Sequence, residues 1–245
     1  RVEARDERPV IDGSITVTGT PGAPGAAPGQ LVLDGLLVAR GITVGAGSLG
    51  RLRVAHCTAA GLTVEAGATE AERNLGLDVD VERCVLGPVD VTPHADSVRL
   101  RDTIVDADGG AALTAGELDV DRCTVMGTTA CRTLSASEAI LGGHVEVERR
   151  QEGCVRFCSL PAGSRVPRRF RCTAAAPDFT STDRGHHAFG QLAVTCPAEI
   201  RRGAEDGGEM GALHFLLEPQ RVASLRARID EHLRFGLEAG VFFVT

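Results

Sequence analysis

Asp80 and Glu82, Arg99 and Arg101, and Asp119 and Asp121 stand in pairs two positions apart, within VDVERC (79–84), VRLRDT (98–103) and LDVDRC (118–123). On an extended strand, residues i and i+2 share a face. These carboxylates could therefore surround a cation, or two of them could act as the acid and base of glycosidic cleavage. A lyase for acidic polysaccharide would need calcium-binding carboxylates and an unpaired basic residue together on that face. Cys123 follows Asp121 by two positions, so this stretch has the look of a metal or redox site. Cys154, Cys158, Cys172 and Cys196 with the His186-His187 pair admit a zinc reading, but no two pairs have the short ligand spacing of a finger or ribbon. No Ser-His-Asp or Cys-His arrangement is identifiable.

The bland alternative is repetition. VLDGLL (32–37), VAHCTA (54–59), VERCVL (81–86), LRDTIV (100–105), VDRCTV (120–125), ASEAIL (136–141) and VRFCSL (155–160) align as one motif. Its fourth position reads Gly35, Cys57, Cys84, Thr103, Cys123, Ala139 and Cys158, always small and never charged. A unit of about twenty residues is one coil of a parallel β-solenoid, expected to be right-handed because crossover connections of parallel strands are. The residues three and five before the small one are apolar and point inward, as Val54, Val81 and Leu100 or Leu52, Val79 and Val98 do. The polar pair immediately before it marks a solvent-facing corner, inside which only a compact side chain fits.

Stacked in register, the outer residues four before the small position run Arg53, Asp80, Arg99, Asp119, Ser135, and those two before run Ala55, Glu82, Arg101, Asp121, Ser137. Strands lie about 4.8 Å apart, so each central carboxylate has an arginine on a neighbouring rung. The acidic pairs then read as halves of an ion-pair ladder. Each exposed pair contributes a few tenths to about 1 kcal/mol. The corner cysteines read likewise as reduced packing, since in-register stacking keeps their Cβ vectors parallel.

The chain divides into an N-terminal partial coil with a Gly/Pro loop (1–30), a parallel β-helix (31–160) and a C-terminal α/β capping and docking segment (161–245). IDGSITVTG (11–19) alternates like one more strand, and GTPGAPGAAPGQ (19–30) can hold neither a ladder nor a helix. The start at Arg1 reads as an excision from a longer solenoid. Seven of the eight Phe residues lie beyond Leu160, implying a separate aromatic core. Residues 218–240 predict an amphipathic helix with Pro219 at its start and Gly240 as its stop; its stripe is Val222, Leu225, Ile229, Leu233 and Leu237. That stripe suits docking onto the coil end or onto a partner. GVFFVT (240–245) reads as a buried strand.

VERRQEGCVRF (147–157), PRRFRC (167–172), CPAEIRRGAEDGGEMGALHF (196–215) and RIDEHLRFGLEAGVFFVT (228–245) resemble the C-terminal end of large actinobacterial and cyanobacterial β-helix proteins associated with phage-tail-like contractile injection clusters. The resemblance covers nearly the whole chain and is most specific in its last hundred residues. It implies a tail- or fibre-like structural part in a bacterial cytoplasmic assembly or extracellular particle, and it carries no catalytic residues. The coil pattern also resembles pectate-lyase-like solenoids, less specifically.

Charge narrows the partners. A formal net charge of −7, with no basic cluster, argues against nucleic acid held by phosphate neutralisation. No leader and no apolar span long enough for membrane insertion is read. Sugar grooves commonly use aromatic platforms, and the chain has no Trp and no Tyr. The leading expectation is therefore a non-enzymatic structural and docking β-helix, with other protein components as partners and no cofactor or metal. Its rival is a carbohydrate-binding or carbohydrate-cleaving solenoid whose surface is Asp80, Glu82, Arg99, Arg101, Asp119 and Asp121. Self-association, as in trimeric fibres, is a third reading.

Overall fold

A computed structural model of the chain describes residues 8–20, 27–65, 67, 73–74, 76–91 and 95–240. The expected strand at 240–245 and part of the Gly/Pro loop lie outside them. The described strands pair in parallel as one β-solenoid whose coils each contribute to three faces. The first face stacks β3 (Gly29–Asp34), β6 (Leu49–Ala55), β9 (Leu77–Glu82), β12 (Ala95–Arg101), the ends of β13 (Ile104–Asp121) and β14 (Thr124–Ser137), β17 (Gly153–Arg156) and β18 (Arg168–Phe170). The second stacks β1 (Val10–Ile11), β4 (Leu37–Val38), β7 (Thr58–Ala59), β10 (Val85–Leu86), the starts of β13 and β14, and β15 (Ile140–Leu141). The third stacks β2 (Ser14–Val17), β5 (Gly41–Val44), β8 (Leu62–Val64), β11 (Val89–Asp90), the middles of β13 and β14, and β16 (Val145–Val147). β1 and β2 belong to the stack, as the alternation of residues 11–19 predicts.

Inward-facing columns follow the sequence alternation. Leu52, Val79, Val98, Leu118 and Leu134 stack in one, Val54, Val81, Leu100, Val120, Ala136 and Val155 in the next, and all are buried. Burial of such branched side chains against like neighbours drives the coil to wind. The outer positions between them stay polar.

The corner between the first and second faces is built by one left-handed residue per coil. Gly35, His56, Arg83, Asp102, Arg122, Glu138, Phe157 and Arg171 all have φ between 47° and 72°. For seven of these, a side chain makes that conformation costly, by about 1–2 kcal/mol each. Stacking offsets the cost, because the strained residue's N–H still donates to the next coil: His56 to Glu82 O at 3.0 Å, Arg83 to Arg101 O at 2.9 Å, Arg122 to Ser137 O at 2.9 Å.

The compact residue after each corner does more than save space. The Cys84 thiol donates to Glu82 O at 3.2 Å, and its sulfur accepts the N–H of Cys57 at 3.3 Å. Cys57 likewise donates to Ala55 O (3.1 Å) and accepts from Leu36 N–H (3.4 Å); Thr103 Oγ1 donates to Arg101 O (2.8 Å) and accepts from Cys84 N–H (3.2 Å). Cys123 and Cys158 donate to the carbonyl two residues back at 3.3 and 3.0 Å. A thiol or hydroxyl on one carbon is the smallest group that can serve both roles, which explains why Cys or Thr fills the position in every coil from Cys57 to Cys172 except that of Ala139. All eight cysteines are free, and burial pushes the Cys158 thiol up to about 12.

Two departures from the aligned repeat follow. Gly35 occupies the left-handed corner instead of the inner position, which Leu36 fills opposite Cys57; Val32 accordingly faces outward and Leu33 inward. Glycine's freedom at positive φ shifts the first window by one residue. Beyond residue 160, β18 pairs with β17 and Cys172 follows the left-handed Arg171, so the rung register continues through Thr173.

After Thr173 the chain turns back along the second face. Ile140 of that face packs with Cys196, Ile200 and Met210, and with Ala175, Phe179 and Leu192. Ala212 N–H donates to Thr124 Oγ1 at 3.0 Å, Glu205 N–H to Glu138 Oε1 at 3.0 Å, and Arg184 Nε to Asp106 Oδ2 at 2.9 Å. Gly211, at φ +99°, comes so close that a Cβ there would lie 2.6 Å from Thr124 Oγ1. These contacts are with the flank of the solenoid. The segment carries the short α1 (Ala198–Arg201) and then α2 (Glu218–His232). Among the described residues, no helix is long and apolar enough to cross a membrane.

Replacing Cys84 tests the corner account. Cys84→Ser should leave stability within about 1 kcal/mol of the parent, Cys84→Ala should cost about 1–2 kcal/mol through the orphaned Cys57 N–H, and Cys84→Leu should cost more by overpacking. Urea melts followed by circular dichroism read the order; an alanine chain as stable as the serine chain would refute the hydrogen-bonding role.

Candidate functional site

The six charged residues singled out in the sequence lie together on the outer first face, lining a groove of about 270 Å³ with Arg51 and Arg53. β6 brings Arg51 and Arg53, β9 Asp80 and Glu82, β12 Arg99 and Arg101, and the end of β13 Asp119 and Asp121. Rungs of arginine and carboxylate therefore alternate along the stack, as the in-register columns predict. Arg53↔Asp80↔Arg99↔Asp119 is one column and Glu82↔Arg101↔Asp121 the next.

Pairing is partly diagonal. Arg51 binds Asp80 across columns, and Arg53 reaches Glu82 at 2.9 Å, while Arg99 approaches Asp80 at 3.6 Å and Arg101 approaches Asp121 at 3.6 Å. A long guanidinium leans along its strand, so the nearest carboxylate is as often the neighbouring column's. Asp121 is also bound by Arg122 at 3.0 Å. Asp119, exposed between Arg99 and Ser135, is the one carboxylate of the six charged residues that makes no ion pair among the described residues.

This geometry limits the chemistry. Asp80 and Asp119 are separated by the Arg99 rung, at two strand spacings or roughly 9–10 Å. Among the described residues, no three His, Cys, Asp or Glu side chains converge as a metal cluster. The zinc reading does not form either. Cys154 lies on the outer strand, Cys172 in the inner corner and Cys196 in the flank cluster, while His186 and His187 stack on each other at 4.3 Å.

Two groups that carry no motif stand out in the structure. Asp102, at a corner, is the most enclosed carboxylate of the ladder, with a side chain 6% exposed, held by Arg122 Nε at 2.8 Å and Arg83 Nε at 3.8 Å. Glu209 is buried in a narrow cleft lined by Arg201, Glu218 and Pro219, against the first turn of α2. Burial, reinforced by the Glu218 charge and opposed by His214 and Arg201, pushes its carboxyl up to about 7. Nothing in the local sequence EDGGEMG (205–211) separates Glu209 from its exposed neighbours.

The docking stripe is present in part. α2 ends at His232; Leu233 turns extended (ψ 131°), and Gly236 at φ 85° takes Leu237 into a turn beyond the helix. The expected run to Gly240 is thus shorter by two turns, because the chain leaves the helix at Leu233, three residues before Gly236. Val222, Ile229 and Leu233 are half-buried, and Leu225 and Leu237 are exposed. No residue of α2 is buried.

Asp102→Ala should cost about 2 kcal/mol by removing the enclosed acceptor of Arg122 Nε and leaving that guanidinium Asp121 alone, whereas Asp119→Ala should change stability by less than about 0.5 kcal/mol in the same melts. Glu209 sets a pH dependence. Its folded carboxyl binds a proton more tightly than the unfolded one, so stability is full below about 4.5 and falls as pH rises through about 7. Melts between those limits should show a loss on the order of 1–3 kcal/mol that Glu209→Gln lacks.

The chain matches no protein-family model, and no curated protein or solved structure matches it, so what the groove and α2 do is argued from their own geometry.

Proposed function

We propose that the chain is a non-enzymatic structural module: a rigid parallel β-solenoid that holds α2 out as a docking element for another protein. The observation that carries this reading is a contrast between its two candidate surfaces. On the solenoid face, all but one of the six residues are engaged in ion pairs, whereas α2 buries none of its residues and leaves its apolar stripe open. The resemblance of residues 147–245 to β-helix proteins of phage-tail-like clusters suggests the setting, an assembly of repeated protein parts.

One observation favours the carbohydrate alternative. Asp119 makes no ion pair among the described residues and faces an open groove bordered by Arg99 and Arg101. Hydrogen bonding from such a set could hold a sugar without aromatic platforms.

A photo-crosslinker placed at Ser224, on the exposed surface of α2, separates the two. In the producing cell it should transfer to a defined protein component, and Leu225→Asp should abolish the product while leaving the β signal of the purified chain intact. Binding on a glycan array, or calcium-dependent uronate cleavage, lost in Asp119→Ala and kept in Leu225→Asp, would replace the docking reading with the carbohydrate one.

A further inference from the structure

Resting on the docking reading, the structure assigns a chemistry to what α2 receives: we infer that its partner is an acidic amphipathic helix. Val222, Leu225, Ile229 and Leu233 recur at intervals of three and four, and at 100° per residue they fall within one narrow arc. Arg226 borders that arc on one side, and Arg221 and Arg228 on the other. Arg202 adds a further guanidinium beside Arg226, across a small gap also lined by Val194 and Ala223. Of the nearby acids, Asp230 lies outside Arg226 and Glu231 points to the opposite side of the helix, while Glu218 stands at the N-terminal end of the arc, one turn before Val222, and borders both the stripe and the Glu209 cleft.

These four arginines differ from those of the charged groove and its corner. Among the described residues, Arg202, Arg221, Arg226 and Arg228 make no ion pair, while Arg51, Arg53, Arg99, Arg101 and Arg122 all do. A chain of net charge −7 thus gathers unpaired positive charge around its one open helical stripe. Charge flanking an apolar seam selects the partner that carries the opposite sign.

A second copy of α2 fits poorly. In heptad terms Val222 and Leu225 are core positions, Arg221 and Arg228 stand at g and Arg226 at e. Parallel pairing would set g against e and antiparallel pairing would set like positions together, so either brings arginine onto arginine. The stripe is roughly 16 Å long at 1.5 Å per residue, three turns, which suits the ridges of a facing helix.

The test uses the full chain and two synthetic helical peptides, each with Leu at a and d, one with Glu and one with Lys at e and g. Fluorescence anisotropy should show the Glu peptide binding about tenfold or more tighter, with the gap closing as salt rises. Leu225→Asp should remove that binding. Joint replacement of Arg221, Arg226 and Arg228 by Glu should reverse the preference, with circular dichroism confirming that both chains stay folded. Equal affinity for the two peptides, no binding, or binding indifferent to Leu225→Asp would overturn the inference. So would a sedimenting dimer that Leu225→Asp dissociates, which assigns the stripe to a second copy, or binding seen only after removal of residues 241–245, which assigns it to the chain's own C-terminus. If the peptides fail while the Ser224 crosslink still forms, the acidic chemistry falls and the docking reading stands.

Discussion

Everything in this molecule depends on turning a parallel strand through a sharp corner without losing its interchain-like ladder of hydrogen bonds. A left-handed residue makes the turn, and its displaced N–H is accepted one rung along by the carbonyl of the residue just before the next coil's left-handed one. Inside the bend, a carbonyl and an N–H would be left facing an apolar core. The Cys or Thr side chain closes that gap with one atom that donates within its own coil and accepts from the preceding one. The arrangement works only when repeated: one such corner alone would leave strain and a half-satisfied thiol, whereas a stack shares each compensation between neighbours.

Fixing the corners fixes the register, and the register sorts the surface charges. Once Cys57, Cys84 and Thr103 are stacked, Arg53, Asp80 and Arg99 have no freedom to slide past one another, because a one-residue slip would turn the inward columns outward. Individual outer pairs are exposed and weak, so they follow the register more than they set it. Asp102 is the exception. Its enclosure between Arg83 and Arg122 places an ion pair at the corner itself, where a like-charged neighbour would oppose the bend.

What the sequence makes legible is whatever the repeat enforces. The alternation of Leu52, Val54 and their equivalents, the compact residue after each corner, and the columns of Asp80, Arg99 and Asp119 all recur often enough to be read without coordinates. Where one residue can satisfy two positions, the pattern misleads: Gly35 looks like the small inner residue but is the corner, and only the pairing of Leu36 with Cys57 distinguishes them. Non-repeating parts are opaque for the same reason. Glu209 owes its character to burial under residues distant in sequence, and the diagonal reach of Arg51 and Arg53 depends on side-chain lean that no column predicts. The flank contacts of Arg184, Glu205 and Ala212 each occur once, so nothing in the spacing of 174–216 announces which face they cover.

The two halves of the chain stand on different energetic footings, and that difference bears on function. The solenoid buries continuous apolar columns and needs nothing further to persist. A fifteen-residue helix with no buried side chain is marginal in water, since its propagation scarcely repays its nucleation. Only its N-terminal half borders the body, where Glu218 and Pro219 line the Glu209 cleft and Val222, Ala223 and Arg226 face Val194 and Arg202. On the docking reading, the free energy that fixes the rest of α2 comes from whatever covers Leu225 and Ile229, so ordering and recognition are one event. A rigid shaft ending in an element completed by its neighbour makes each joint depend on the correct neighbour being present, and the arginines along the stripe are what would tell that neighbour from an amphipathic helix with basic flanks.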